Sequence, residues 1–156
     1  MVTAIGAVFY GGQDSLDQLI QIKSCWLFMN DWVVYNGKTI DLRGKMAAIV
    51  RGMESVSEFR GLISQPRFTS SPADISSVPR AMSLSGFLTK AAHDRLEFER
   101  IQFRDPFLVV YSSGTTCQAK SIVHSVGSVP LNAHKEGRLH NELEPDSVAL
   151  QYTTTG

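Results

Sequence analysis

The chain has 156 residues, 43% hydrophobic and 19% charged, with 15 basic side chains set against 15 acidic ones and a formal net charge of zero. That balance is ordinary for a globular protein, and without a basic stripe or polybasic tail it argues against nucleic acid and against an anionic membrane surface as partners. Two cysteines, Cys25 and Cys117, without CxxC spacing indicate neither a disulfide framework nor a zinc site, so a reducing, cytoplasmic setting and a single domain are the expectations.

The N-terminal segment MVTAIGAVFYGG is apolar, but it is too short to span a bilayer and lacks the basic start of a signal peptide. It reads as a buried strand over Ile5–Tyr10 that turns at Gly11-Gly12. A first segment this apolar is unusual at a domain's surface terminus, which suggests a missing beginning. Asp14 or Ser15 is a candidate cap for a helix running to about Lys23, with Leu16, Leu19, Ile20 and Lys23 at helical spacing. CWLFMN then returns as a strand. Strand, helix and strand with short connections are the grammar of an α/β fold, a parallel or mixed sheet with crossover helices.

A second unit follows, with a WVVY strand, a turn at Asn36-Gly37, a helical pattern in Leu42, Met46, Ile49, Val50 and Met53, and a strand from Phe59 to Ser64. Lys38, Lys45 and Arg51 read as its solvated side. The Ser- and Pro-rich stretch from Gln65 to Pro79 is a loop. Ser83 is placed to cap a short helix, SLSGFLTKA. LEFERIQF alternates apolar and polar residues as a half-exposed strand would. Pro106–Tyr111 and SIVHS are strongly β-like, Val129–Leu143 has a helical pattern, and VALQYTTTG begins another strand.

Between the two β-like runs lies YSSGTTCQAK, Tyr111–Lys120, a hydroxyl-rich loop that ends in a lysine. Backbone amides, hydroxyls and a lysine are the components of a phosphate cradle. A Walker A loop would require Lys120 to open a helix. Ala119 stands where its last glycine would be, and SIVHSVGS, with β-branched Ile122 and Val123, is a poor helix start. A P-loop NTPase is therefore a remote alternative.

The same residues resemble the signature loop of the adenylate-forming enzymes, Ser-Ser/Gly-Gly-Thr-Thr-Gly-x-Pro-Lys, at Ser112, Ser113, Gly114, Thr115, Thr116 and Lys120. They depart from it at Cys117, where glycine is expected, and at Ala119, where proline is. AIGAVF, Gln21-Ile22, VVYNGK, LEFERIQFRDPFLVVYSSGTT, IVHS, Leu139-His140 and YTTTG are similar, in order, to segments of the acetoacetyl-CoA synthetase family. The resemblance implies part of the large N-terminal domain of an adenylate-forming enzyme across residues 1–156. It also implies an ATP-dependent acid–CoA ligase that uses ATP, Mg and coenzyme A to convert a small carboxylic acid such as acetoacetate into an acyl-adenylate and then a thioester. Ser112, Ser113, Thr115 and Thr116 would donate to the phosphates, Gly114 would let the loop turn, and Lys120 would offer charge to the departing pyrophosphate. The family's acyl pocket, its further nucleotide motifs and its C-terminal lid have no counterpart here. The expectation is therefore a fragment, from a partial gene model or truncated gene, inactive as an isolated chain. The alternative is a non-catalytic remnant acting at most as a binding or interaction module.

The other conspicuous residues have plainer readings. His134 and His140 are six apart, which does not align them as a metal pair, and no metal ligands are expected. His93, His134 and His140 read as surface or core histidines. His124 lies just beyond the loop, where a structural hydrogen bond is the simpler role. Trp26 and Trp32 sit inside apolar runs and read as core rather than as a base-stacking platform. Cys117 reads as an inert substitution, with redox sensitivity as its alternative.

Overall fold

The computed structural model describes residues 5–8, 13–90, 95, 98–112 and 120–150, with only the backbone described at 5–8, 13–15 and 112. The chain divides into two compact units, residues 1–95 and 96–156, and each is described by itself.

The first unit contains β1 (Ile5–Val8), α1 (Gln13–Gln21), β2 (Trp26–Asn30), β3 (Trp32–Tyr35), β4 (Lys38–Asp41), α2 (Arg43–Gly52) with a 3₁₀ turn at Met53–Ser55, β5 (Gly61–Gln65), β6 (Ala81–Ser83) and α3 (Leu84–Leu88). Strands β1, β2, β5 and β6 form a four-stranded parallel sheet in that order. The α/β reading with a parallel sheet and crossover helices therefore holds.

Side-chain alternation divides the sheet's residues between its two faces. Leu27 and Met29 of β2 and Leu62 of β5 pack with Leu19 of α1 and Met46, Ile49 and Val50 of α2 in one buried cluster. On the opposite face, Trp26 and Phe28 meet the Phe87 ring of α3 edge-on, at centroid distances of 5.6 and 6.2 Å, a favoured aromatic geometry. Trp26 is thus a packing residue. Trp32 stacks under the Arg43 guanidinium at 5.8 Å. The Ser83 hydroxyl accepts the Gly86 amide, so the expected cap of the short helix is present.

Three expectations need correction. WVVY does not join the main sheet. It pairs antiparallel with β4, a strand absent from the sequence reading, through a two-residue turn in which Asn36 and Gly37 have φ of 48° and 72°. Asn-Gly is the usual solution for that turn, because both central residues need positive φ. The parallel crossover from β2 to β5 thus carries an inserted hairpin ahead of α2. Second, residues 98–103 form no strand, and Phe98 and Phe103 are exposed. The Asp105 carboxylate accepts the Gln102 amide and closes a local turn in place of a strand ladder. Third, of the VALQYTTTG run expected to begin a strand, Val148–Leu150 is neither helix nor strand, with Val148 98% and Leu150 94% exposed, and residues 151–156 lie outside the described residues. Lys45, expected on a solvated face, is half-buried, and desolvation pulls its ammonium below the usual lysine value.

At the end of β2 the chain buries a carboxylate. Asp31 is 1% exposed, and its two oxygens accept the amides of Arg67 at 2.7 Å and Ala73 at 2.8 Å. Its backbone carbonyl accepts Leu42, and its amide donates to Gln65. One residue thereby fixes the loop between β5 and β6, the end of β5 and the entry to α2. Charge-assisted bonds of this kind are the strong ones. Replacing Asp31 with Ala would leave two loop amides without their acceptor. It is expected to destabilise the protein by about 2–4 kcal/mol, read as a lowered urea midpoint, whereas Asp31→Asn, which keeps one acceptor, is expected to cost less.

Asp41 and Arg43 hold the hairpin against the start of α2. The guanidinium of Arg43 bonds both Asp41 oxygens, at 2.7 to 3.1 Å, and the Arg43 amide adds a bond at 2.9 Å. These side-chain bonds, then the backbone bond, hold the Asp41 carboxyl below its ordinary 3.8. Because the folded value lies below the unfolded one, the pair's contribution is present above about pH 4 and is lost as pH falls through the folded value. Asp41→Asn is therefore expected to lower stability measurably at neutral pH and to make little difference near pH 2 in urea titrations of the two proteins.

Candidate functional site

The second unit contains β7 (Pro106–Ser112), β8 (Lys120–Ser125) and α4 (Ser128–Lys135), which continues into a wider π turn at Glu136–His140. The strands pair antiparallel, with Leu108 opposite His124, Val109 opposite Val123, Val110 opposite Ile122, Tyr111 opposite Ser121 and Ser112 opposite Lys120. The ladder slips between Pro106 and Leu108. β-Branched and aromatic residues favour such a ladder, and this one ends where the hydroxyl-rich loop begins.

The pairing of Ser112 with Lys120 is the central geometric feature of the site. It makes the intervening segment a closed hairpin connection whose two ends stand opposite one another, about 5 Å apart as strand neighbours do. Ser112 and Lys120 are the two expected site residues that the hairpin brings together. Ser113, Gly114, Thr115 and Thr116 lie outside the described residues, as do Cys117 and Ala119. Lys120 is exposed and enters no ion pair among the described residues. Beside it, burial raises the Tyr111 phenol above its usual value, so this ring stays neutral near pH 7.

Lys120 opens a strand, not a helix. The P-loop alternative needs the lysine at a helix N-terminus, where main-chain amides complete the cradle, and that arrangement is contradicted. Lys120, Ile122 and His124 share one face of β8 by alternation. His124 stands four residues from Lys120 along an extended strand, roughly 13 Å away. At that distance it does not reach a phosphate held at Lys120. Instead it lines a cavity of about 520 Å³ with Leu108, Ser128, Val129, Asn132 and Ala133, beneath α4. His134 and His140 are exposed, and His93 lies outside the described residues. Among the described residues, no cluster of three or more His, Cys, Asp or Glu side chains is placed to hold a metal ion.

One feature escaped sequence reasoning. A second cavity, of about 610 Å³, lies at the C-terminal ends of β2, β5 and β6, with Asp31, Ser64, Asp74, Ser83 and Leu88 in its wall. Asp31 stood between two strands with nothing to mark it, and its burial against a loop more than thirty residues away leaves no local sequence signal.

No family model matches the chain. It is similar to the acetoacetyl-CoA synthetase of Gallus gallus, with 33% identity over 98% of this chain and 24% of that protein. Similarity to the acetoacetyl-coenzyme A synthetase of Rhizobium meliloti is 30%, over 98% of this chain and 24% of that protein. Among solved structures, an acetoacetyl-CoA synthetase from Streptomyces lividans superposes with a TM-score of 0.68 and 30% sequence identity, over 87% of this chain and 20% of that one. The chain thus spans about a quarter of the length of the curated relatives it matches.

Proposed function

From a chain that is a homologue of the acetoacetyl-CoA synthetases along 98% of its length, we propose that the β7–β8 hairpin carries the nucleotide-phosphate loop of an ATP-dependent acid–CoA ligase. Residues 1–156 would then correspond to part of the N-terminal, AMP-binding domain of such an enzyme. The observation that supports this most directly is the Ser112–Lys120 pairing. It closes the hydroxyl-rich segment into a loop with a cation at its base, and it leaves that cation without a competing carboxylate among the described residues.

In this reading Ser112, Ser113, Thr115 and Thr116 donate hydrogen bonds to the β- and γ-phosphates of ATP, and Gly114 permits the turn. Lys120 supplies a point charge to the pyrophosphate as it leaves. The carboxylate of a small acid such as acetoacetate attacks the α-phosphorus; the bond to pyrophosphate breaks and an acyl-adenylate forms. The thiol of coenzyme A then displaces AMP to give the thioester. Positioning and neutralisation of charge account for most of such a phosphoryl step, which is what a loop of hydroxyls, amides and one lysine provides. Magnesium accompanying ATP would offset further phosphate charge, held chiefly by the nucleotide's own oxygens as is usual for this ion.

Cysteine at 117 restricts a position where glycine reaches positive φ freely, and alanine at 119 removes a φ lock. Each departure is expected to weaken nucleotide binding by about 1 kcal/mol if the loop adopts those angles. Titration of the chain with Mg-ATP, followed by calorimetry, tests the proposal. Lys120→Ala is expected to weaken binding at least about tenfold, the loss of one charge-assisted contact, while leaving the urea midpoint unchanged because the side chain is exposed. Equal affinities for the two proteins would overturn the assignment of Lys120. No binding by either would favour a non-catalytic module.

A further inference from the structure

We propose that the open edge of β7 is a pairing surface for a second copy of this chain, so that two hairpins join across a two-fold axis into one four-stranded antiparallel sheet. This does not rest on the nucleotide reading. The second unit is short of a core: among the described residues every buried hydrophobic side chain lies between Leu19 and Val78, in the first unit, and α4 buries none. Its sheet has only two strands, and a two-stranded sheet is at best marginal until further strands or a helix cover its apolar face. Phe107 and Val123 are 63% and 58% exposed, and Leu108 and Ile122 are exposed as well.

The character of the two strands selects the edge. Strands that stay unpaired are ordinarily guarded by charge, proline or a bulge. β8 carries Lys120 and His124. β7, PFLVVYS, has no charged residue, and its proline and its ladder slip both fall at its start. From Leu108 to Ser112 the strand is regular, uncharged and, among the described residues, paired with β8 alone.

That run fits its own copy. Antiparallel pairing centred on Val110 sets Val110 against the partner's Val110, Val109 against the partner's Tyr111 and Leu108 against the partner's Ser112. β-Branched and aromatic side chains are favourable cross-strand neighbours, and no like charges meet. Residues 109 and 111 share one face of the strand, and 108, 110 and 112 share the other, so each face of one hairpin continues into the same face of the next. One patch serves both copies, as a two-fold interface requires. Each chain's zero formal net charge leaves little long-range repulsion between them. The β8 edges, with Lys120, become the outer edges, so the assembly closes at two copies instead of growing. The loops between Ser112 and Lys120 leave from opposite ends of the joined sheet.

The test is sedimentation equilibrium of the full chain over a wide range of concentration, alongside Val110→Lys, Val110→Glu and Ile122→Lys. The chain is expected to move reversibly between monomer and dimer. Val110→Lys and Val110→Glu set like charges across the axis; each should raise the dissociation constant about tenfold or more, and an equimolar mixture of the two should dimerise again. Ile122→Lys, across from Val110 on β8 and away from the joined edge, should leave the dimer intact. Dilution of the ¹⁵N-labelled wild-type chain should shift the amides from Leu108 to Ser112 more than those of β8, which keeps the proposal testable if the Val110 variants do not fold. Monomer at every concentration, as a strand supplied by a different protein would require, or growth beyond two copies would overturn it. So would folded Val110 variants as tight as the wild type, a mixture no tighter than its parts, loss of the dimer in folded Ile122→Lys, or dilution shifts centred outside β7.

Discussion

The carboxylate of Asp31 is the constraint on which the parallel unit depends. β2 is hydrogen-bonded on both sides, to β1 and β5, so its end is the point from which the chain must leave the sheet in a defined direction. A buried carboxylate is costly unless fully partnered. Here partners come from the backbone of a distant loop, with the amides of Arg67 and Ala73 on its two oxygens. The same residue's backbone bonds Gln65 and Leu42, so sheet end, loop and α2 entry are set together. The core of Leu27, Leu62, Met46 and Val50 supplies the bulk of the favourable burial. Asp31 determines which way the loop lies over it.

In the hairpin unit, register takes the place of a buried charge. Side chains alternate along a strand with period two, so a slip of one residue would turn Lys120 to the opposite face and place a different residue across from Ser112. The run of Val109, Val110, Ile122 and Val123 favours the ladder, yet Ile122 and Val123 remain substantially exposed. The chain's zero net charge offers little electrostatic repulsion against association through such surface. Strand edges and apolar faces of this kind are normally managed by covering or pairing them.

Much of this architecture was legible in the sequence because its signals are local. Periodicity marked α1 and α2, the Ser83 cap announced α3, Asn36-Gly37 marked a tight turn, and the β-branched residues after Lys120 separated a strand from a Walker helix. What was missed depends on partners. β4 is a polar strand, KTID, that exists because WVVY lies opposite it. LEFERIQF alternates correctly, but Asp105 ties Gln102 into a turn instead. The order of the loop residues in the candidate site could be read from sequence, as could the lysine that ends it. The pairing that sets Lys120 across from Ser112 could not, since register is a property of two strands and their connection. The acidic cavity was invisible for the same reason: Asp31, Ser64 and Asp74 meet only after the sheet and its loop are assembled.

The role proposed for residues 112–120 is to hold the phosphates of ATP. Its most direct test is the titration of the ¹⁵N-labelled chain with Mg-ATP while following every backbone amide. Saturable shifts concentrated from Ser112 through Lys120, weakening as salt is raised, are the predicted result. Shifts centred outside that segment, or none at all, would contradict it.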